Sequence, residues 1–178
     1  MTTMKQFHWF WAWDDEKEEV WLREMAHKGW HFKSVTLPGF YFFEKGEPRE
    51  DFYRLDFFTD QKAKADYLQL FLDAGWQYLG EMGSWQYFRK TASEGEVPEI
   101  FSDNESKIKK YQRILLFLMI VSLPIYFNVI NLSNKHTSTF FSETFTFVMF
   151  LLMFLFMLLY IYGMIRLFMR VYQLKKKI

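Results

Sequence analysis

The side chains able to carry acid–base or metal-ligating chemistry are four histidines, His8, His27, His31 and His136, and twenty-one Asp and Glu residues. The histidines are too scattered for a metal set, and although His27 and His31 are four residues apart, Gly29 between them is expected to end any helix that would align them. The chain has no cysteine, so it has no disulfide, no thiolate nucleophile and no thiolate zinc site, which suits a reducing compartment. None of G-x-S-x-G, the P-loop, G-x-G-x-x-G or H-E-x-x-H occurs. No catalytic residue, metal or cofactor is therefore expected, and the chemistry to look for is binding. Asp15, Glu16, Glu18 and Glu19 form a charge run that reads as the solvated face of a helix. Asp56 is different: it sits between Leu55 and Phe57 inside a strand-like stretch and beside Arg54, where it could hold a cationic ligand or form a cross-strand ion pair. All seven tryptophans, Trp9, Trp11, Trp13, Trp21, Trp30, Trp76 and Trp85, lie in the first half of the chain. Trp9, Trp11, Trp13, Trp85 and Asp56 are the candidate ligand- or partner-binding residues, with an aromatic-packed core as the alternative.

The elements that would position these residues come in two copies. Sliding the N-terminal part against itself matches residue n to n+46: Asp14 to Asp60, Leu22 to Leu68, Gly29-Trp30 to Gly75-Trp76 and Tyr41-Phe42 to Tyr87-Phe88, with Phe7/Tyr53 and Trp11/Phe57 keeping their character. In each copy an alternating aromatic segment (Phe7, Trp9, Trp11, Trp13; then Tyr53, Leu55, Phe57) predicts a half-buried strand. Asp14 and Asp60 stand where N-caps are expected. One apolar stripe follows in each copy, Trp21, Leu22, Met25 and Ala26, then Tyr67, Leu68, Phe71 and Leu72, at helical spacing. Gly29 and Gly75 stand where left-handed C′ residues end helices. Second strands then start at Trp30 and Trp76, and turns at Pro38-Gly39 and Gly83-Ser84 lead to third strands over 40–44 and 85–89. The expected fold of residues 1–91 is thus α+β: a tandem βαββ repeat, copies at about 5–46 and 51–92, combining into an antiparallel sheet with the helices on one face.

Charge divides the chain. Residues 1–105 hold twelve Lys/Arg against twenty Asp/Glu, a net −8, and residues 106–178 hold ten against the single Glu143, a net +9. Residues 92–105 are an acidic linker with Pro98, in which Ser102 and Glu105 have capping-box spacing. Beyond it lie two uncharged apolar runs, 114–132 and 147–165, which predict a two-helix transmembrane hairpin with spans at about 114–132 and 145–168. Pro124 interrupts the first run near Asn128 and Asn131, and Met149, Met153 and Met157 in the second read as packing or lipid-facing residues. Lys107, Lys109, Lys110 and Arg113 precede the first run and Arg166, Arg170, Lys175, Lys176 and Lys177 close the second, whereas the connecting loop carries only Lys135. This bias places both termini in the cytoplasm. The start of the chain lacks the features of a secretory signal, which agrees with that placement. Neither span holds an acidic residue or histidine, which disfavours a pump or channel. Basic residues gathered at apolar boundaries point to the lipid bilayer as partner rather than to nucleic acid.

The segments FHWFWAWDDEKEEVWLREMAHKGWHF, FYFFEKGEPREDFYRLDF, AGWQYLGEMGSWQYFRK and EIFSDNESKIKKYQR resemble the bacterial family known as domain of unknown function 2812 over residues 5–113. The resemblance implies a membrane hairpin and a place near PadR-like transcriptional regulators, and it carries no activity. The duplicated strand-helix-strand-strand order is also similar to that of GyrI-like effector-binding domains, which implies a small amphipathic or cationic ligand. The expected function is that of a non-enzymatic, membrane-anchored regulatory or sensory protein whose cytoplasmic aromatic-rich domain binds a partner protein or a hydrophobic or cationic ligand. The alternative is a structural or accessory subunit of a larger membrane complex acting through the hairpin.

Overall fold

The computed structural model describes residues 2–91, 104–134 and 143–176, which divide into two compact units, Met1–Lys110 and Tyr111–Ile178. The first unit runs β1 (Thr3–Phe7), α1 (Asp15–His27), β2 (Trp30–Thr36), β3 (Phe40–Lys45), β4 (Asp51–Phe57), α2 (Lys64–Asp73), β5 (Gln77–Met82) and β6 (Trp85–Thr91). Its strands form two three-stranded antiparallel sheets, ordered β1-β3-β2 and β4-β6-β5. The expectation of one combined sheet is corrected here. Each repeat closes its own hydrogen-bond ladder, and the two sheets meet through side chains, with β2 beside β5 and α1 packed on both β2 and β4.

The duplication is visible in the backbone. Gly29 and Gly75 end their helices at φ 75° and 80°, a region open to glycine because it has no Cβ. Each hairpin is interrupted at the same relative place, between Phe32 and Ser34 and between Tyr78 and Gly80. The copies do not superpose without gaps, however. Phe7 pairs with Phe40 at the end of its ladder, and it is Phe57, not Tyr53, that pairs with the corresponding Trp85. Gly29 lies twenty-two positions after Phe7, and Gly75 lies eighteen positions after Phe57. The first copy therefore carries four additional residues over this stretch. One lies in the loop before its helix (8–14 against 58–63) and three in the helix itself, since α2 starts only at Lys64, with Ala63 rather than Asp60 as its N-cap. The tryptophan-rich stretch 8–14 is loop rather than the strand its alternation predicts. The ladder is carried one step further by the His8 N–H donating to Gly39 O at 3.0 Å, and the chain then turns, with Asp14 N–H donating to Trp11 O at 2.9 Å.

The core combines Leu22, Met25 and Ala26 of α1, Phe32, Val35, Tyr41 and Phe43 of the first sheet, and Tyr53, Leu55 and Tyr87 of the second. Full burial of an aliphatic or aromatic side chain of this size contributes about 1.5–3 kcal/mol, so α1, clasped between sheets, is the centre of the domain. The second helix does not mirror it. No α2 residue is buried: Tyr67, Leu68 and Phe71 are half-buried and Leu72 is exposed. The stripe read from its spacing is there, but it is covered on one side only.

In the second unit, α3 (Asn104–Asn134), which begins in the first unit, contains Pro124, and α4 (Glu143–Lys175) follows. The hydroxyl of Tyr160 on α4 donates to Ser122 Oγ on α3 at 3.3 Å. Among the described residues one stretch, Leu151–Lys175, is long and apolar enough to cross a membrane, with mean hydropathy 2.1. The linker residues 92–103, with Pro98 and Ser102, and the loop residues Lys135 and His136 lie outside the described residues.

Candidate ligand-binding site

The loop 8–14 of the first copy builds one wall of a pocket of about 90 Å³. His8, Phe10, Trp11 and Ala12 come from this loop, Pro38 and Gly39 from the β2–β3 turn, Tyr41 from β3, and Met82 and Trp85 from the second copy. Asp15 and Glu18, from the first turns of α1, complete the lining. The loop rings brace one another: His8 stacks on Phe10 at 4.2 Å, Trp11 lies edge-on to Trp9 at 5.5 Å and parallel to Trp13 at 5.3 Å. The strand-like alternation survives in the loop with the opposite sense to the one expected. Phe7, Trp9 and Trp11 face outward, Trp9 half exposed at 50%, while His8 and Phe10 turn inward.

The pocket's acidic side overturns the expectation of a solvated α1 face. Glu16 is exposed, but Asp15, Glu18 and Glu19 are buried, Asp15 and Glu18 to 2% and 5% exposure. Burial of a carboxylate needs partners, and these come from far along the chain. The Lys110 ammonium donates to Asp15 Oδ2 at 2.5 Å and to Leu55 O at 3.3 Å. Glu19 accepts the Leu55 N–H at 2.8 Å and an Arg54 N–H at 3.3 Å. Glu18 Oε1 accepts two hydroxyls, Tyr41 at 2.7 Å and Tyr87 at 2.8 Å. Loss of solvent pushes the Glu18 carboxyl up to about 7, against the pull of those two hydroxyls and aided by the neighbouring Asp15 charge. Burial likewise raises Glu19 to about 7, outweighing Lys110 and Arg54. The same burial, with the Glu18 charge, raises Tyr41 and Tyr87 far above the ordinary phenol value, so both remain donors.

Of the five residues singled out from sequence, Trp11 and Trp85 line the pocket, and Trp9 and Trp13 touch Trp11 without lining it. Asp56 is not among the lining residues; it is buried on β4, where its carboxylate accepts the Tyr67 hydroxyl at 2.8 Å. Arg54, two residues before it, pairs with Glu19 at 3.3 Å. Sequence reasoning missed Asp15, Glu18 and Tyr41. A signal was present: at the 46-residue offset Asp15, Glu18 and Glu19 face Gln61, Lys64 and Ala65, so the acid run is not part of the repeated pattern. Among the described residues no group of three His, Cys, Asp or Glu side chains is arranged to hold a metal ion.

Fold and site together define a duplicated α+β domain, with a carboxylate-floored aromatic pocket in its first copy, on a chain that also carries a helix of membrane-spanning length. The chain belongs to the DUF2812 family, described as a protein of unknown function, whose model matches residues 14–123. No curated protein and no solved structure matches the chain, so the similarity to GyrI-like domains remains one of element order.

Proposed function

We propose that the protein is a non-enzymatic, membrane-anchored regulatory or sensory protein, held by α3 and α4 as two spans with both termini cytoplasmic, whose first unit binds a ligand or partner through its aromatic surface. The observation that carries this is the outward-facing ridge of Phe7, Trp9 and Trp11, which continues into the pocket wall at Trp11. Rings of this size left in water cost solvation, and they are the side chains that contribute most when a partner covers them. The basic flanks of the two apolar runs support the orientation. A photo-crosslinker at Trp9 of the full chain, in its own membrane, tests it. A specific adduct absent from a control at exposed Val20 is expected, and identical adducts from both positions would contradict it. Reporters fused after Lys177 and within 133–144 test the orientation; an external C-terminus would overturn it.

One observation favours a second reading, an accessory subunit acting through the hairpin: α4 exposes apolar side chains from Phe147 to Tyr172. Exchanging the hairpin for unrelated spans discriminates the two, because activity that survives the exchange resides in the first unit.

A further inference from the structure

The pocket holds a carboxylate whose charge the protein does not answer. Asp15 is committed to Lys110, but the groups that act on Glu18 are two hydroxyls and the carboxylate of Asp15. Both hydroxyl bonds fall on Oε1, and among the described residues Oε2 receives none. In the same lining, His8 Nδ1 is buried without a hydrogen-bond partner. A largely desolvated carboxylate partnered only by neutral hydroxyls is costly unless a cation arrives. Aromatic faces surround the position: Phe10, Trp11, Tyr41 and Trp85. Their quadrupoles attract a cation most when it is large, diffuse and weakly hydrated.

We propose that this pocket is a binding site for a small alkylated ammonium ion, with Glu18 as its counter-charge and the Phe10, Trp11, Tyr41 and Trp85 rings as its cage. The proposal rests on the ligand-binding reading above and gives that ligand a chemistry and a place. Three features select the class. A primary ammonium brings three N–H donors that all need acceptors once water is removed, and the lining offers few beyond Glu18 and His8. An alkylated ammonium needs one or none. A metal ion would need several ligating groups, and none are grouped here among the described residues. Size sets the upper limit, because the pocket encloses about 90 Å³. A trimethyl- or tetramethylammonium centre suits this space and tetrabutylammonium does not.

Calorimetric titration of the full chain in lipid nanodiscs with tetramethylammonium chloride, against sodium chloride at equal ionic strength, tests the site. Saturable binding is expected, about tenfold weaker or worse in both Glu18→Gln and Trp11→Leu, and unchanged in Glu16→Gln on the exposed side of the same turn. Choline should bind where its neutral isostere 3,3-dimethyl-1-butanol does not, and tetrabutylammonium should fail. Binding should tighten as pH rises through about 7. The titratable groups facing Glu18 are Asp15 on α1, Tyr41 on β3, Tyr87 on β6 and, across the pocket, His8. Equal affinity of Glu18→Gln and the native chain, equal binding of the neutral alcohol, or no saturable binding would overturn the proposal. Circular dichroism verifies that Glu18→Gln is folded, and Trp11→Leu, at the partly exposed rim, decides the matter if it is not. Absent ammonium binding with the Trp9 adduct intact removes this proposal alone, and loss of both removes the broader reading as well.

Discussion

The two copies of the repeat share one order of elements and diverge in what surrounds their helices. The first helix lies between both sheets and buries six residues, three of them acidic; the second lies against one sheet and buries none. The first helix is three residues longer than the second, the tryptophan-rich loop 8–14 lies over its first turns, and the tyrosines that donate to Glu18 come from β3 of one sheet and β6 of the other. At the same offset the second copy has Lys64, whose ammonium pairs with Glu81 nearer the surface at 2.6 Å. A duplicated unit thus keeps its backbone plan in both halves while the first half supplies the acids and most of the pocket lining and the second closes it with Met82 and Trp85.

The largest difference should appear on truncating the matched leucines. Leu22, with no exposed surface, should cost about 2–5 kcal/mol as Leu22→Ala, because a cavity opens between sheets that cannot close on it. Its half-buried counterpart Leu68→Ala should cost about 1 kcal/mol, both read from chemical denaturation. Comparable losses would break the asymmetry.

Glu18 gives the next effect, in pH. Its folded value of about 7 lies above the ordinary 4.5, so the folded domain holds this proton more tightly than the unfolded chain does. The associated stability is fully present below 4.5 and is lost as pH rises through about 7, an amount of ~3 kcal/mol from this group. Glu18→Gln should accordingly be more stable than the native chain at pH 8 and close to it at pH 4.5, as measured by denaturation midpoints at the two pH values.

The matched glycines sharpen the comparison on a smaller scale. A Cβ at Gly29 would stand 2.5 Å from the Gly46 carbonyl oxygen, whereas at Gly75 it would meet only the Lys90 side chain at 3.6 Å. Gly75→Ala should cost about 1–2 kcal/mol for its left-handed φ alone. Gly29→Ala should cost visibly more in thermal unfolding, since backbone must move. Smallest of all, Lys64→Gln breaks a partly exposed ion pair and should change stability by about 1 kcal/mol or less, with little pH dependence between 6 and 8.

What could be read in the sequence follows from how local each cause is. The strand-helix-strand-strand order, the glycine ends of both helices and the hydrophobic stripe of α1 depend on residues within a turn or two of one another, and these features were legible. The loop 8–14 was not, because Phe7, Trp9, Trp11 and Trp13 alternate as a strand does and local period cannot reveal that the ladder ends at Phe7. Nor was the burial of Asp15 and Glu18 legible. Their partners are Lys110, ninety-five residues away, and Tyr41 and Tyr87, twenty-three and sixty-nine residues away. A charge run is solvated by default, and only the second sheet, folded over α1, changes that. The mismatch of the two copies at three acidic positions, Asp15, Glu18 and Glu19 against Gln61, Lys64 and Ala65, was the one trace of it in the sequence.

The central claim is that Glu18 is a buried, proton-holding carboxylate awaiting a cation, and it is tested most directly by counting protons as the cation binds. With tetramethylammonium titrated at pH 7 in buffers of different ionisation enthalpy, the native chain should release roughly half a proton per ion bound, since a group with a value of about 7 is half protonated there. Glu18→Gln should release none. Binding by the native chain with no proton release, or equal release from Glu18→Gln, would contradict the account.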